Sequence, residues 1–575
     1  MSLVEFGFGA FRNQRDFLNA PALTPGILIS KLRSARWFLI SSVCLARFAG
    51  GQSAPAPLAV GSELEEYLRY AQTMGVVRGD PWSLRDFTGS QSAALQKVVG
   101  AHPWSEQLSD TAGSGFSWRM LPASLNLIAN SAFPFGGNDG AVWAGKGLTT
   151  VIGAGVTAKW SHFSVTLAPR FFRAENSEFD LMANGHTGRL AFADGQFADI
   201  VDRPQRFGAS AYQRFDPGQS TIRFDGYGVT AGVSTANQSW GPSDRYQYIL
   251  GNNAGGYPHI FIGTEHPVNA GFAGIHGRVV WGMLEQSDYS PVTGPKYFVD
   301  GVQSGTRRFT AGMIATIQPR GVKGLEIGAA RFFHSAWPKG GLTQGDFTAL
   351  FQNIFKRGLP TEPSLPGSDN TKGVRDNQLF SVFARWVVPG TGFETYGEFG
   401  REDHSWDIRD FLQEPDHGGA SRLLGFRKMW SSGYALRAEA INYEAPQLTR
   451  FRPEGAVYVH YVLRQGHTVG GQPLGADVGL GSGAGSTVAV DRYSVKGRTS
   501  VEWTRSVAHE RGTYHVNGVI DEKAVDVLHT LSLQALRFNG PVDLTGKLNL
   551  TMNLNRYFQS DVFNAGVQLG ASYRF

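Results

Sequence analysis

The stretch Asn138-Asp139-Gly140-Ala141-Val142-Trp143-Ala144-Gly145-Lys146-Gly147 holds the clearest set of side chains that could do recognition chemistry. Asn-Asp-Gly favours a tight turn, because Asn and Asp bond their own backbone and glycine accepts positive φ. Trp143 and Lys146 beside it could stack on and hydrogen-bond a sugar. Asp139 could accept bonds from sugar hydroxyls or bind Ca²⁺, but one carboxylate gives no metal-site spacing, so neither a metal nor a cofactor is expected. Further on come Ser239-Trp240-Gly241-Pro242 and Gly256-Tyr257-Pro258-His259-Ile260-Phe261. Then follow Gly466-His467-Thr468 and Gly471-Gln472-Pro473-Leu474-Gly475. The candidate sugar-contact residues are Asn138, Asp139, Trp143, Lys146, Trp240, Tyr257 and His259. Each has a plainer role too. Asn138-Asp139 can be a turn and nothing more, Trp143 and Trp240 can pack loops or sit in an interfacial belt, and lone histidines such as His259 and His467 are usually structural.

Catalytic patterns are sparse. A hydrolase needs a nucleophile, a base and an orienting group within reach. The chain shows no nucleophile elbow, no histidine pair at helical spacing and no phosphate loop. Glu394 and Glu398 share a strand face with Tyr396 between them and could act as a glycosidase pair. Charge lining a lumen explains them better. No catalytic residue is assigned, and the protein is expected not to be an enzyme.

The elements that must position these residues are strands. From Val542 to Asn555 apolar and polar residues alternate, with Val542, Leu544, Leu548, Leu550 and Met552 opposing Asp543, Lys547, Asn549 and Asn553. A period of two makes this a two-faced strand. Val567, Leu569, Ala571, Tyr573 and Phe575 repeat the pattern at the chain's end. It also governs Leu121–Ala129, Phe163–Leu167, Phe380–Val388 and Tyr434–Ala440. Charges fall repeatedly on the face opposite the oily one. In a soluble sandwich the polar face would meet water; in a barrel the oily face meets lipid and the polar face lines the lumen.

Link lengths favour the barrel. Short links fall at 160–162, 319–324, 389–392, 431–433 and Asn539-Gly540-Pro541, the last an Asn-Gly hairpin signal. Long links fall at about 131–147, 174–220, 237–271, 335–377 and 404–420. Barrels of this kind have short turns at one end and long loops at the other. The parity fails twice, at 285–307 and at the Gly-rich run 465–487, with about sixteen strands counted.

The chain has 575 residues, 18% charged and 12% aromatic, with 73 glycines. No run of about 18 apolar residues exists, so only a barrel could span a membrane. The formal charge of +5 sits mostly in the first 51 residues, so no nucleic-acid partner is expected. Lys31–Gln52 reads as a secretory signal: Lys31, Arg33 and Arg36, then an apolar run Trp37–Ala46, then Ala49-Gly50-Gly51 for cleavage. The only cysteine, Cys44, lies inside it. Ser62-Glu63-Leu64-Glu65 is a capping box opening a helix that stops near Gly75. A second helix is expected over Ser90–Val99. The organisation expected is 1–51 extension and signal, 52–117 helical segment, and 118–575 barrel.

The N-D-G-x-x-W-x-G-K-G, W-G-P, G-Y-P-H and G-H-T…G-Q-P-L-G stretches, in that order and ending on Phe575, resemble the capsule-assembly Wzi-type outer-membrane proteins. The resemblance covers most of 118–575. It implies an all-β transmembrane barrel of about eighteen antiparallel strands with a small N-terminal periplasmic α-helical segment. It further implies a lectin-like role at the surface of a Gram-negative cell, with capsular or other surface polysaccharide, outer-membrane lipid and the barrel-insertion machinery as partners. The alternative is a porin-type diffusion channel, which the polar lumen face would also suit. N-terminal sequencing of the exported protein is expected to begin near Gln52; a start before Lys31 would overturn the signal reading.

Overall fold

The computed structural model describes residues 54, 57–76, 81–85, 115–292, 303–338, 340–359, 376–415, 419–444, 457–460, 463–510 and 524–575. The expected signal segment and the expected Ser90–Val99 helix lie outside them. Among the described residues, eighteen antiparallel strands form one closed barrel. They are β1 Phe116–Asn130, β2 Gly147–Trp160, β3 in two parts (Phe163–Leu167 and Arg170–Ala174) and β4 in two parts (Tyr212–Asp216 and Thr221–Gly226). Next come β5 Val229–Ser234, β6 His259–Thr264, β7 Ala273–Leu284, β8 Gln303–Pro319 and β9 Leu325–Pro338. Then follow β10 Asp376–Val388, β11 Phe393–Glu402, β12 Ala420–Met429, β13 Tyr434–Asn442 and β14 Gly483–Ser494. The last four are β15 Gly497–His509, β16 Val525–Asn539, β17 Val542–Arg556 and β18 Ser560–Tyr573. The ring closes where β18 pairs with β1, from Ala123 opposite Tyr573 to Asn130 opposite Gly566.

The two parity failures have one source each. Strand β6 lies inside the expected link 237–271, so that link is a loop over 235–258 followed by a strand, and the segment after β7 falls at the long-loop end. In the run 465–487, residues 465–482 lie between β13 and β14 and 483–487 begin β14, which also leaves it at that end. The link between β17 and β18, residues 557–559, is the one short link there among the described residues.

Faces follow the alternation. Val382, Trp386, Leu424 and Leu569 point outward and are exposed. Their neighbours point into a lumen that is filled. Helix α1, Glu63–Thr73, starts at Ser62, whose Oγ accepts the Glu65 N–H at 3.3 Å. The Glu65 carboxylate reaches back one residue further than the expected box, to the Gly61 N–H. The helix is capped at Met74 and followed by Gly75, held at φ +71°. It lies inside the short-turn end: the Tyr67 hydroxyl donates to Ser494 O at 2.8 Å, at the turn from β14 to β15. The segment 81–85 and the loop 235–258 fill the space above it.

Two cross-strand rows of the wall hold this plug. The first runs Glu326, Arg385, Tyr396, Gly425 and Glu439 across β9 to β13. The second runs Glu394, Arg427, Arg437, Ala489 and Glu502 across β11 to β15. Glu326 accepts the Trp82 and Ser83 N–H groups, both at 2.8 Å. Glu439 accepts the Arg245 and Tyr246 N–H groups at 3.1 and 2.8 Å and the Ser243 hydroxyl at 2.8 Å. Glu394 accepts Arg69 Nε at 3.0 Å, Thr73 Oγ1 at 2.7 Å and Arg385 Nε at 3.0 Å. Asp244 of the loop sits among Arg69, Arg427 and Arg437. Burial pushes its carboxyl up, but Arg427, Arg437 and Arg69 outweigh burial and hold it well below the usual carboxylate range.

A buried ion pair broken on one side leaves an uncompensated charge, at a cost of about 3–5 kcal/mol. Glu394→Gln is therefore expected to lower unfolding free energy in detergent by about that amount. Arg69→Met combined with Glu394→Gln should lose less than the two single losses added. Denaturant titration of the three variants checks this; strict additivity would show that the pair does not anchor the helix.

Candidate functional site

At the long-loop end a cavity of about 360 Å³ opens between four links: β1–β2, β3–β4, β13–β14 and β17–β18. Its first wall is the link 131–146. Asn138, at φ +56°, and Gly140, at φ +67°, make the expected turn. The Asn138 N–H donates to Asn253 Oδ1 at 3.0 Å and its Nδ2 to Arg245 O at 3.2 Å, so the turn is pinned to the plug loop. Asp139 accepts the Gly137 N–H at 3.1 Å. Trp143 stands edge-on to Phe207, centroids 5.2 Å apart, and to Tyr212 at 6.1 Å, and it lines the cavity.

The second wall is the short β17–β18 turn. Tyr557 and Phe558 adopt φ +56° and +62°, and Asn555 adopts +51°. Bulky residues avoid this left-handed region, and such outliers persist only where the surroundings impose them. Here Asp526 Oδ2 accepts the Tyr557 N–H at 2.9 Å. Arg556 lies over the Phe133 ring at 4.0 Å and the Tyr557 ring at 4.2 Å. The outcome is a pair of half-exposed aromatic rings beside Asn553 and Asp526 on the cavity's edge.

The floor comes from the β13–β14 connection. Gln472 donates through Nε2 to Gly140 O at 3.3 Å, while its buried Oε1 has no partner among the described residues. Arg203 pairs with Asp477 at 2.8 Å and Asp194 at 3.5 Å. The charged lining is four carboxylates, Asp139, Asp194, Asp477 and Asp526, against Arg203 and Arg556. A second cavity, about 330 Å³, lies deeper along β15–β18 and meets the first at Gly137 and Asp139.

The structure therefore brings together Asp139 and Trp143 of the expected set, with Asn138 lining the deeper cavity. Lys146 turns aside and donates to Glu178 O at 2.8 Å. Trp240, Tyr257 and His259 are placed in the packed lumen. Trp240 is 1% exposed, its ring meeting Phe332 at 6.2 Å and the backbone of Gly312, where any Cβ would collide with the indole. His259 turns its Nδ1 to the carbonyl of Tyr257 at 2.8 Å. Trp240 and Tyr257 pack within the plug and His259 at the start of β6, and none of the three lines the cavity. Tyr557, Phe558, Arg556 and Asp526 were not expected; the signal was two large aromatics in a link too short to be a loop.

Glu394 and Glu398 stand four residues apart on β11, about 13 Å along the strand. Glu394 is occupied by Arg69 and Arg385.

No protein-family model and no curated protein sequence matches the chain. Solved structures do. The chain is similar to Wzi of Escherichia coli, an outer-membrane protein involved in group 1 capsule assembly and a carbohydrate-binding β-barrel, at TM-score 0.56 and 14% identity over 90% of this chain and 100% of that one. OpdQ of Pseudomonas aeruginosa aligns at TM-score 0.41 and 7% identity, covering 80% and 97%. OprD of the same organism aligns at 0.37 and 8%, covering 80% and 93%. The fold is that of the outer-membrane barrels.

His467, in the loop that carries Gln472, turns Nε2 to Ile249 O at 2.6 Å and stacks on Tyr458. Burial pushes its imidazole down to about 4. A histidine buried neutral contributes stability above its unfolded value near 6.5, and that contribution fades as pH falls toward 4. The melting temperature is expected to drop across that window, and His467→Gln should flatten the drop. Equal pH slopes in both proteins would remove His467 from the account.

Proposed function

We propose that the protein is a non-enzymatic outer-membrane lectin that holds exported polysaccharide at its long-loop end, the Wzi-like role. The observation that carries this reading is the plug. Helix α1 and the loop 235–258 are bonded to both charged rows of the wall, which leaves the long-loop cavity as the place to hold a ligand. Its aromatic edges, planar amides and carboxylates suit stacking on sugar faces and bonding to hydroxyls. The likeness to a carbohydrate-binding barrel agrees with this in fold.

In this reading the short-turn end, with α1 in its mouth, faces the periplasm and the long loops face outward. Helix α1, Glu63–Thr73, belongs to the periplasmic part, and residues 1–51 are removed on export. Four carboxylates against two arginines favour neutral or amino sugars over uronates. The polar wall of β15–β18 beside the deeper cavity keeps the diffusion-channel reading alive as the second one.

One detergent-purified sample tests both. Retention of a neutral surface polysaccharide with a silent planar bilayer supports the lectin. Tyr557→Ala with Phe558→Ala, and separately Trp143→Ala, are expected to weaken retention about tenfold, a loss of about 1.4 kcal/mol. Conductance without retention would put the channel first.

A further inference from the structure

The outward face of the barrel should be uniformly exposed in the isolated chain, and over most of its circumference it is. Residues paired directly across strands share a face. One outward row runs Val279, Met313, Arg331, Phe380 and Arg401 across β7 to β11. Near it the pattern breaks: Phe309 and Phe333, both outward, are only 5% and 2% exposed. Two links cover them and their neighbours from outside. Residues 340–359 fold down over β7–β9, with Leu350 and Phe347 packed on Phe309 and Phe333, and Trp281 Nε1 donating to Phe347 O at 2.9 Å. Residues 403–415 fold down over β11, where Phe411 meets Phe399, centroids 6.3 Å apart.

Each strap hangs on one arginine of that row. Arg331 donates to the carbonyls of Leu350 at 3.3 Å, Gln352 at 2.5 Å and Asn353 at 3.1 Å. Arg401 donates to Glu414 O at 3.3 Å and Pro415 O at 2.8 Å. The straps are joined: Lys356 N–H donates to Ser405 O at 2.8 Å and Arg357 N–H to Trp406 O at 2.9 Å. The side they turn away from the barrel carries several large apolar residues beside exposed Asn353, Arg357, Arg409 and Gln413, with Arg357 3.7 Å from Asp407. Phe351 is 69% exposed and Leu412 is 72%, with Ile354, Trp406 and Ile408 also exposed. That surface continues into the outward residues Val382 and Leu424 of β10 and β12.

Height decides what covers it. Leu325 pairs with Trp386 at the short-turn rim, an aromatic in girdle position. Arg331 lies six residues further along β9, about 20 Å of strand, and about 15 Å of height once strand tilt is counted. The apolar band of such barrels is about 25 Å tall. The row of arginines thus falls within the band. A bare arginine facing lipid there is costly, and a strap can satisfy it only if the strap's own outer side is compatible with acyl chains.

We propose that these two straps form a ledge embedded in the lipid of the outer leaflet, so that the barrel is anchored off-centre by protein that does not span the membrane. The occupant of the apolar surface is lipid acyl chain, because the surface is continuous with the spanning band and sits at its height. The proposal rests on the barrel lying in a membrane and is independent of any glycan.

The test uses the full-length protein in lipid vesicles, with Cys44→Ser where the precursor residue is retained. A nitroxide is placed singly at Leu412→Cys, Phe351→Cys, Val382→Cys as the lipid reference and Asp199→Cys as the aqueous one. Collision with oxygen over collision with a water-soluble nickel complex is expected to be several-fold higher at Leu412 and Phe351 than at Asp199, matching Val382. A ratio matching Asp199 would place the ledge in water. Low collision with both reagents would mean that another protein surface, such as a second copy, covers it. Either result overturns the proposal.

Discussion

The interaction on which the rest depends is the carboxylate buried inside a lipid-facing wall. A barrel that shows its oily face outward must turn its polar face inward, and whatever fills the lumen must satisfy that face group by group. Glu326, Glu394 and Glu439 do this by accepting backbone and arginine N–H groups from the plug. The lumen therefore packs through ionic and amide bonds at its rim and through Trp240, Tyr248 and Phe332 at its centre. Buried pairs are poor sources of net stability, but they punish misplacement severely. The plug is held in one position because any other leaves a charge uncovered.

The wall is not the same all round. Between β9 and β15 the inward side chains are glutamate, aspartate and arginine, and there the plug docks. From β16 through β18 hydroxyls and amides stand beside Asp526, Asp543 and Lys547: Thr530 bonds Thr551 at 3.0 Å, and Ser532 bonds Asn549 at 2.7 Å. Both cavities lie against this second side. The deeper cavity sits at the seam between the two sides, bounded by Arg437, Arg498 and Glu502 as well as by Gln534, Thr545 and Gln568.

Much of the fold was legible because its signals are local. Val542–Arg556 and Ser560–Tyr573 alternate cleanly, Asn539-Gly540 turns from Val525–Asn539 into the first of them, and Ser62 caps α1. Strand β6 escaped because six residues, His259–Thr264, sit beside aromatic loop sequence that reads as a motif. The site was legible only in part. Asp139 and Trp143 reach the cavity, but an aromatic in a long link looks the same whether the link rises into water or dives into the lumen. Trp240 and Tyr257 dive, and nothing local says so; the partners that bury them, Phe332 among them, lie far along the chain.

The pairing of β18 with β1 joins the chain's last strand to its first. Until Ser560–Tyr573 is in place, the sheet has two open edges, each a row of unpaired backbone groups. No such edge is tolerated in hydrocarbon. A sheet short of its last strand therefore keeps unpaired backbone along β1 and β17. The loop between β5 and β6, made early and bonded to strands made late, must be inside when the ring shuts. The order of manufacture and the order of enclosure are opposite, and the final strand acts as the latch for both.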